Sequence, residues 1–344
     1  MSRIDVFVPC YNYGRFLSQC VYSVLGQTGV NVRVLVIDDA SSDNTSEVAA
    51  ALAREDSRVT GIRHGTNKGH INTYNEGIEW ASANYMLLLS ADDYLLPGAL
   101  SRAADLMDTN PEVGFSFGNV IELSERGAET PTRSIIRAAN DAHTRILKGS
   151  EFIELSGSDN LVPTCSAVVR TDLQKRLGGY RNELPHTGDM EMWLRFAAHA
   201  SVGFIPACQG VYRQHRGNMS TVYYSIANGH VLYAKNGRLA DLRQRKSALD
   251  YFAKHCRDLA SQRVHLCSRL YRRLAELAVS HASSAFNDGE IGESSQLSGF
   301  ALAVCPEIKR SSAWIKLACK RRMGARTWRA VRPAAMLFRA MQHN

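Results

Sequence analysis

The sequence predicts an α/β fold, in which a doubly wound, mainly parallel sheet carries helices on both faces, followed by an all-helical, basic C-terminal extension. Short apolar runs alternate with amphipathic stretches over residues 4–118, as expected for strand–helix–strand connections. Acidic residues stand where several apolar runs end, and after about Tyr223 the pattern is helical. Ligands bind at the carboxyl ends of strands in such sheets, so these acids mark the expected site.

The elements up to residue 118 alternate regularly. The strands are rich in β-branched residues, and the helices have apolar residues at helical spacing or begin at capping signals. The predicted order is strand Ile4–Pro9, helix Gly14–Gln27, strand Val32–Ile37, a helix from Ser41-Ser42-Asp43 to about Arg54, strand Val59–Arg63, helix Asn72–Ala83, strand Tyr85–Leu89, helix Pro97–Met107 and strand Val113–Phe117.

The next segment is less regular. Residues 119–160 are polar, and we interpret them as a variable insertion. The pattern then resumes with strand Val162–Val169, helix Asp189–Ala200 and two closing strands, Val202–Ile205 and Gln209–Arg213.

Composition excludes several classes of protein. Of 344 residues, 45% are hydrophobic and 22% charged, which allows a large core and excludes a disordered polyelectrolyte. The eight cysteines form no C-x-x-C pair, so we expect neither a zinc site nor a disulfide scaffold, but a reduced, cytoplasmic protein. Because no long apolar window and no signal-peptide pattern occur, we expect neither a membrane-spanning helix nor secretion.

The net charge of +8 is divided unequally. Residues 1–221 contain 20 Lys and Arg against 25 Asp and Glu, whereas residues 222–344 contain 21 against 8. Ten basic residues and no acidic ones lie between Lys309 and Asn344. The split predicts two domains, 1–221 and 222–344. No aromatic-interleaved basic motif indicates nucleic-acid binding. The basic region either contacts an anionic membrane or packs, through its apolar residues, on the first domain or a second copy.

The acids follow three elements of the first domain. Asp38-Asp39 closes the second strand, Asp92-Asp93 follows the fourth, and Asp189 begins a helix. Two carboxylates at the ligand-binding edge suit a divalent cation, and that cation suits a diphosphate.

Several motifs in this order resemble family 2 glycosyltransferases of the GT-A fold over roughly residues 3–215. They are VPCYNYGRF, VLVIDDASSDNT, GTNKGHINTYNEG, SADDYLLPGAL, GDMEMWLRFA and VYRQH. The resemblance implies inverting transfer of a sugar from a nucleotide-diphosphate sugar, with a UDP-sugar favoured, and a Mn²⁺ or Mg²⁺ cofactor. It implies a glycan or lipid-linked acceptor, and a role in cell-surface polysaccharide or glycan assembly at the cytoplasmic face of a membrane. Because the transmembrane helices and the Q-x-x-R-W motif of processive synthases are absent, we expect one sugar, or few, to be added per encounter. The C-terminal helices would contact acceptor, membrane or a second copy.

The resemblance also assigns donor-binding residues. The ring of Tyr11 either stacks on the nucleobase or packs against the protein. Asp39, at the end of the second strand, accepts a hydrogen bond from an N–H of the base. Asp38 either shares this contact or caps the Ser41–Asn44 turn. The residues assigned to the donor nucleotide are Pro9, Tyr11, Asp39, Asn67 and Asp92.

Metal binding is assigned to Asp93 and to His215, for which a structural role is the alternative. Within the N-x-G...N-x-G segment, Asn67 and Asn75 are expected to hold turns and Gly69 to permit close backbone approach, and Gly77 is interpreted as a helix-packing residue. Many relatives have arginine where this chain has Tyr74, so one cationic phosphate contact is missing.

Asp189 matches the general base of the family, with a helix N-cap as the alternative. The helix dipole is expected to lower its pKa. Glu191 is expected to face the acceptor, Trp193 to lie in the core, and Arg195 to hold a carboxylate such as Asp189. Arg213 is assigned to acceptor contact or support.

Two related functions are excluded by missing motifs. The G-x-G-x-R loop of nucleotidyltransferases is absent, as is the Q-x-x-R-W motif of processive synthases. The remaining alternative is a catalytically degenerate nucleotide-sugar-binding or assembly scaffold. The four intact acids Asp39, Asp92, Asp93 and Asp189 argue against it.

Overall fold

The computed structural model describes residues 1–132, 143–227, 230–234, 237–255, 263–328 and 330. The described chain forms two compact units. One is built from Met1–Asn218, and the other from most of the described residues from Met219 onward. Each unit is described separately below.

The first unit contains ten strands and seven α-helices among its described residues. The strands are β1 (Arg3–Cys10), β2 (Asn31–Asp38), β3 (Val59–Arg63), β4 (Tyr85–Leu88), β5 (Tyr94–Leu95), β6 (Val113–Ser124), β7 (Glu129–Pro131), β8 (Arg145–Leu147), β9 (Val168–Arg170) and β10 (Ser201–Gln214). The helices are α1 (Gly14–Leu25), α2 (Thr45–Glu55), α3 (His70–Trp80), α4 (Ala99–Thr109), α5 (Gly149–Ser156), α6 (Thr171–Leu177) and α7 (Gly188–Ala197).

The strands form one mixed sheet in the order β3-β2-β1-β4-β9-β6-β10-β5. Strands β3, β2, β1 and β4 run parallel, and β6 runs parallel to β10. Strand β9 lies between β4 and β6 and is antiparallel to both. The carboxyl ends of β1, β2, β4, β6 and β10 therefore meet at one edge of the sheet, and the predicted mainly parallel sheet is confirmed.

Close packing of helix α3 on β1 requires a glycine. A Cβ atom added at Gly77 would lie 2.2 Å from Cδ2 of Phe7, whose side chain is 1% exposed. The interpretation of Gly77 as a packing residue is therefore confirmed.

The prediction that residues 119–160 form a variable insertion is wrong for much of the segment. Strand β6 continues to Ser124, and β8 pairs with β10. Leu147, Phe152 and Ile153 are at most 1% exposed, because β8 and α5 contribute to the core. Residues 133–142 lie outside the described part of the chain.

Prolines and glycines explain the other differences from prediction. Residues Thr164–Ser166 form a 3₁₀ turn after Pro163, so the expected strand Val162–Val169 is replaced by the shorter β9, Val168–Arg170. The two expected closing strands are one strand, β10, whose pairing with β6 is irregular around Pro206. Helix α4 begins after Gly98, which has φ +75°, and not at Pro97.

The second unit begins with a 3₁₀ turn, Met219–Val222, followed by a hairpin that the sequence pattern did not reveal. Strands β11 (Tyr224–Ala227) and β12 (His230–Tyr233) are antiparallel. The helices that follow are α8 (Gly237–His255), α9 (Arg263–Asn287), α10 (Ile291–Val304) and α11 (Ser312–Met323). The predicted helical C-terminal region is thus confirmed, apart from the hairpin. Across the described ranges, no helix combines the length and apolar character that membrane crossing requires.

Part of the basic stretch packs within this second unit. Lys320 Nζ lies 2.7 Å from Ser283 Oγ and 4.8 Å from the centroid of the Trp328 ring, and Trp328 Nε1 donates to Asn287 Oδ1 at 2.7 Å. Arg321 donates to the Ser294 carbonyl. The apolar residues Val331, Met336, Leu337 and Phe338, which could serve either a membrane or a packing role, lie outside the described residues.

Candidate active site

The loops after β1 and β2 are locked together. Asn12 and Ala40 have left-handed backbones, with φ of +59° and +60°. The Asn12 amide donates to Ser41 Oγ at 2.9 Å, and Asn12 Oδ1 accepts from the Ser42 amide at 2.8 Å. Asp38, 1% exposed, accepts from the Ser41 amide at 2.9 Å, and so supports the turn. Of the two roles considered for Asp38, the structure shows the turn contact.

Asp39 fastens the next loop to the end of β2. Its Oδ1 accepts from the Lys68 amide at 2.7 Å and its Oδ2 from the Gly69 amide at 2.9 Å, while His64 Nδ1 lies 2.7 Å from Oδ1. Burial alone would raise the pKa of Asp39, but the hydrogen bonds from His64 and the two amides outweigh it and lower the pKa. Asp39 is therefore held as an anion.

The loop between β3 and α3 has further support from His64 and Glu76, which no motif indicated, and from Asn67. His64 bridges carboxylates, because its Nε2 lies 2.9 Å from Glu76 Oε2. Asn67, a predicted donor-binding residue, donates to the Asp39 carbonyl at 3.1 Å and accepts from Gly69, whose φ is +82°. The turn-holding role expected for Asn67 is confirmed.

The end of β10 encloses the acid pair that follows β4. The Arg213 amide donates to Asp93 Oδ1 at 2.9 Å, and Arg213 Nε donates to the Asp92 carbonyl at 2.7 Å. Asp92 Oδ2 lies 3.0 Å from His215 Nε2 and 3.3 Å from Asn218 Nδ2. Arg213 thus supports both acids. Asn218 was not identified from the sequence.

The fit of this pair to a divalent cation rests on Asp93. Burial and the neighbouring charge of Asp92 raise the pKa of Asp93 well above its usual range. A cation would offset that cost, and carboxylate oxygens suit Mg²⁺ or Mn²⁺. Among the described residues, no three His, Cys, Asp or Glu side chains are arranged as a metal site. The pair therefore supplies oxygen ligands but not a complete coordination shell.

His215 uses both ring nitrogens within the protein. Its Nδ1 accepts from the Gly217 amide at 3.1 Å, so Nε2 carries the hydrogen that faces Asp92. Its ring lies 5.3 Å from those of Tyr13 and Phe16. Metal binding by His215 would require the bond to Asp92 to break, and it stays a prediction.

The remaining donor-side residues lie at the carboxyl end of β1. Pro9 is half-buried within the strand, and Tyr11 follows it with 49% of its surface exposed. The exposed ring of Tyr11 leaves a face free for stacking. Base stacking stays a prediction.

Asp189 lies in the first turn of α7 and is half-buried. Its Oδ1 accepts from the Tyr180 hydroxyl at 2.8 Å and its Oδ2 from the Thr164 hydroxyl at 3.1 Å. Both contacts lie outside the helix, so they do not match an N-cap.

The prediction that the helix dipole lowers the pKa of Asp189 is wrong. Withdrawal from water raises the pKa, and the hydroxyls of Tyr180 and Thr164 and the charges of His70 and His186 only partly oppose it.

Glu191 and Arg195 do not occupy the positions expected for them. Arg195 donates to both carboxylate oxygens of Glu191, at 3.0 and 2.9 Å, and not to Asp189. It also donates to the carbonyls of Gly178 and Gly179 at 2.8 and 2.9 Å. Both side chains are buried, so Glu191 does not face an acceptor. Their i,i+4 spacing was the available signal for this pair.

Aromatic side chains line the region beside Asp189. The ring of Tyr74 lies 5.2 Å from that of Tyr180 and 5.4 Å from that of His70. Burial, followed by the negative charges of Asp189 and Asp92, raises the pKa of Tyr74. The Tyr74 hydroxyl is therefore exposed to the negative charge of both Asp189 and Asp92. Trp193 stacks on Phe115 at 5.0 Å in the core, as expected.

The family model described as "Glycosyl transferase family 2" matches residues 5–175. The chain belongs to this family. The matched segment includes Asp39, Asp92 and Asp93, and it ends before Asp189.

Curated relatives of this glycosyltransferase are distant. An uncharacterised protein of Mycobacterium tuberculosis, MT1568, is 28% identical over 237 residues, which cover 67% of this chain and 72% of the relative. Glycosyltransferase GlyG of Streptococcus pneumoniae is 36% identical over 90 residues, covering 26% and 30%. An uncharacterised glycosyltransferase of Nostoc, alr2836, is 31% identical over 112 residues, covering 33% and 35%. The chain thus spans about a third of the length of the last two.

Solved structures resemble the whole chain in fold. Residues 1–349 of TarS from S. aureus, in complex with UDP-GlcNAc, superpose with a TM-score of 0.64 at 18% identity, over 97% of this chain and 92% of that one. The mannosyltransferase PcManGT from Pyrobaculum calidifontis, in complex with GDP-Man and Mn²⁺, gives 0.53 at 14% identity, over 96% and 87%. The predicted GT-A fold class is confirmed.

Proposed function

We propose that this glycosyltransferase moves a single sugar, with inversion, from a UDP-sugar to a hydroxyl of a glycan or lipid-linked acceptor. Asp189 is the general base, and Asp93 holds a divalent metal against the donor diphosphate. The nucleotide binds to Pro9, Tyr11, Asp39, Asn67 and Asp92. Complexes of structural neighbours with UDP-GlcNAc, and with GDP-Man and Mn²⁺, support the donor class and the metal.

The surroundings of Asp189 carry this proposal. The carboxylate has two hydroxyl donors and a raised pKa, which makes it a better proton acceptor than an ordinary surface aspartate. As the acceptor oxygen bonds to the anomeric carbon, its proton passes to Asp189 and the bond from that carbon to the diphosphate oxygen breaks. Attack from the face opposite the nucleotide inverts the configuration.

The acid pair would serve the leaving group. Asp93 would hold the metal, whose chemistry when bound is to stabilise negative charge on the departing diphosphate, while Asp92 would contact the donor. Arg213 fixes both acids, through its amide on Asp93 and its guanidinium on the Asp92 carbonyl. The two aspartates thereby keep their positions while negative charge develops on the leaving diphosphate.

Asp39 can accept one more hydrogen bond, from the nucleobase of the donor. A carboxylate offers about four lone-pair positions, and the Lys68 amide, the Gly69 amide and His64 use three. A base N–H, as in uracil or guanine, would take the fourth. Cytosine has no N–H at the matching ring position, and it is disfavoured.

The Asp189→Asn variant tests the proposal. Because a general base contributes about 10²–10⁴-fold, transfer should fall at least about a hundredfold. Affinity for UDP with Mn²⁺, measured by calorimetry, should stay near wild type. The matched control is Asp172→Asn, an aspartate in the first turn of α6 that pairs with Arg176 at the surface. Transfer by Asp189→Asn at the wild-type rate would remove Asp189 as the base.

We further propose peripheral binding to anionic membrane through exposed basic residues near the C-terminus. These are Lys309, Arg310, Lys316, Arg322 and Arg326. Each contributes about 1 kcal/mol near such a surface. Changing all five to Gln should cut co-sedimentation with anionic vesicles at low salt by more than about tenfold. Equal sedimentation of both proteins, or none by wild type, would leave only the packing role seen for Lys320, Arg321 and Trp328.

A further inference from the structure

We propose that Tyr180 is a positioning residue for the base: its hydroxyl orients the Asp189 carboxylate, and helix α3 holds Tyr180 in place for this task. This inference rests on the proposed function of Asp189. No motif identified Tyr180, and it lies nine residues before the base in the loop between α6 and α7.

The two hydroxyl donors reach different oxygens of Asp189. The Tyr180 hydroxyl lies 2.8 Å from Oδ1, and the Thr164 hydroxyl lies 3.1 Å from Oδ2. Two donors on opposite oxygens fix the rotation of the carboxylate plane. Each oxygen still has a lone pair, so one of them remains able to accept the acceptor proton.

The backbone of Tyr180 is clamped by one side chain of α3. Asn75 Oδ1 accepts from the Tyr180 amide at 2.7 Å, and Asn75 Nδ2 donates to the Tyr180 carbonyl at 3.1 Å. A Cβ atom at Gly179 would lie 2.2 Å from Asn75 Oδ1, and one at Gly188 would lie 3.0 Å from Tyr180 Cδ1. A side chain at Gly179 would therefore displace Asn75, and one at Gly188 would crowd the Tyr180 ring.

The buried ion pair of α7 holds the same loop. Arg195, fixed by Glu191, donates to the carbonyls of Gly178 and Gly179, directly before Tyr180. A buried ion pair is by itself weak evidence for stability, because its desolvation offsets its attraction. Its donation to this loop instead favours a role in placing the Tyr180 ring, which is 8% exposed.

Several charged or titratable groups face Asp189. They are Tyr180, His70 and Tyr74 of α3, and His186 in the preceding loop. The Glu191–Arg195 pair lies on the same helix as Asp189, with the Arg195 guanidinium on the Gly178 and Gly179 carbonyls. Of the groups that face Asp189, Tyr180 donates a hydrogen bond to the carboxylate. Removing its hydroxyl withdraws a donor from the anion, so the pKa of Asp189 should rise and the acidic limb of activity should move to higher pH.

Titration of aspartate carboxyl carbons by ¹³C NMR tests the contact without any substrate. The signal missing in Asp189→Asn identifies Asp189. In Tyr180→Phe its titration midpoint should move up by about one pH unit, as expected for losing a hydrogen bond to a charged group. The matched control is Tyr22→Phe, since the Tyr22 hydroxyl donates to Glu55 at 2.8 Å on the exposed face of α1. It should leave the Asp189 midpoint unchanged.

The pH dependence of UDP release from UDP-GlcNAc with Mn²⁺ supplies the second measurement. In Tyr180→Phe, kcat should fall most at low pH, with the acidic limb displaced as in the NMR titration and the donor KM unchanged. An Asp189 midpoint that stays at its wild-type value in Tyr180→Phe would overturn the inference, whatever the activity. A displaced midpoint together with full activity of Asp189→Asn would instead keep the contact and overturn the proposed function.

Discussion

The carboxylates at the end of β2 and at the start of α7 differ in what surrounds them. Asp39 accepts from two backbone amides and from His64, and its pKa is lowered. Asp189 accepts from two side-chain hydroxyls, and its pKa is raised. The comparison teaches that the balance between burial, which raises the pKa of an acid, and the hydrogen bonds to it, which lower that pKa, separates two tasks. Asp39 holds a loop as a permanent anion, whereas Asp189 is suited to exchanging a proton.

Asp93 belongs with Asp189 in this comparison. Its pKa is also raised, by burial and by the charge of Asp92. A carboxyl group whose pKa is higher in the folded than in the unfolded state stabilises the folded state when it is protonated. For Asp93 and Asp189, this contribution to the unfolding free energy is fully present below the unfolded-state pKa. It is lost as the pH rises through the folded-state pKa. Above the unfolded-state pKa, both carboxyl groups therefore make the folded state less stable than unperturbed aspartates would. Such a cost is typical of functional sites.

The largest effect that follows is on ligand binding at Asp93. Wild type with UDP and Mn²⁺ at a hundred times the dissociation constant should gain about 2.7 kcal/mol of unfolding free energy. Asp93→Asn should lose the Mn²⁺-dependent part of this gain, measured by thermal melts with UDP in the presence and absence of Mn²⁺. Asp105→Asn, an exposed aspartate of α4, is the control and should behave as wild type. If Asp93→Asn retains the full Mn²⁺-dependent shift, its role as metal ligand fails.

Most of the sheet could be predicted because its strands are apolar runs between turn signals. The segments Val32–Ile37 and Val59–Arg63 match β2 and β3 closely. The errors fall where burial is not visible in the local pattern. Strand β8 is three residues long, and the hairpin of β11 and β12 lies in a stretch without clear alternation. Strand β8 pairs with β10, a distant segment that a local pattern does not encode. The hairpin strands pair with each other, but their four-residue length leaves too little alternation to identify them.

The acids of the site could be predicted because they stand at element ends, but their partners could not. Tyr180 and Thr164 reach Asp189 across 9 and 25 residues of sequence. His64 contacts Asp39 across 25 residues, and Arg213 contacts Asp93 across 120. The exception is the Glu191–Arg195 pair, whose spacing of four residues on a helix was visible. Arg195 holds a carboxylate, as expected, but that of Glu191 and not that of Asp189. The loop before Asp189, whose carbonyls Arg195 also binds, has a geometry that the sequence does not show.

The smallest effect gives the most direct test of the comparison. The Tm of the ligand-free variants Asp39→Asn and Asp189→Asn at neutral pH shows which acid stabilises the folded protein. The account assigns that structural role to Asp39 and proton exchange to Asp189. Asp39→Asn places an amide where two backbone N–H groups require acceptors, so its Tm should fall by about 5 °C or more. Asp189→Asn removes a carboxyl group whose ionisation burial disfavours, so its Tm should equal or exceed that of wild type, by a margin that grows as the pH rises through the folded-state pKa of Asp189. A fall in Tm for Asp189→Asn as large as that for Asp39→Asn would show that both acids are structural, and would contradict the account.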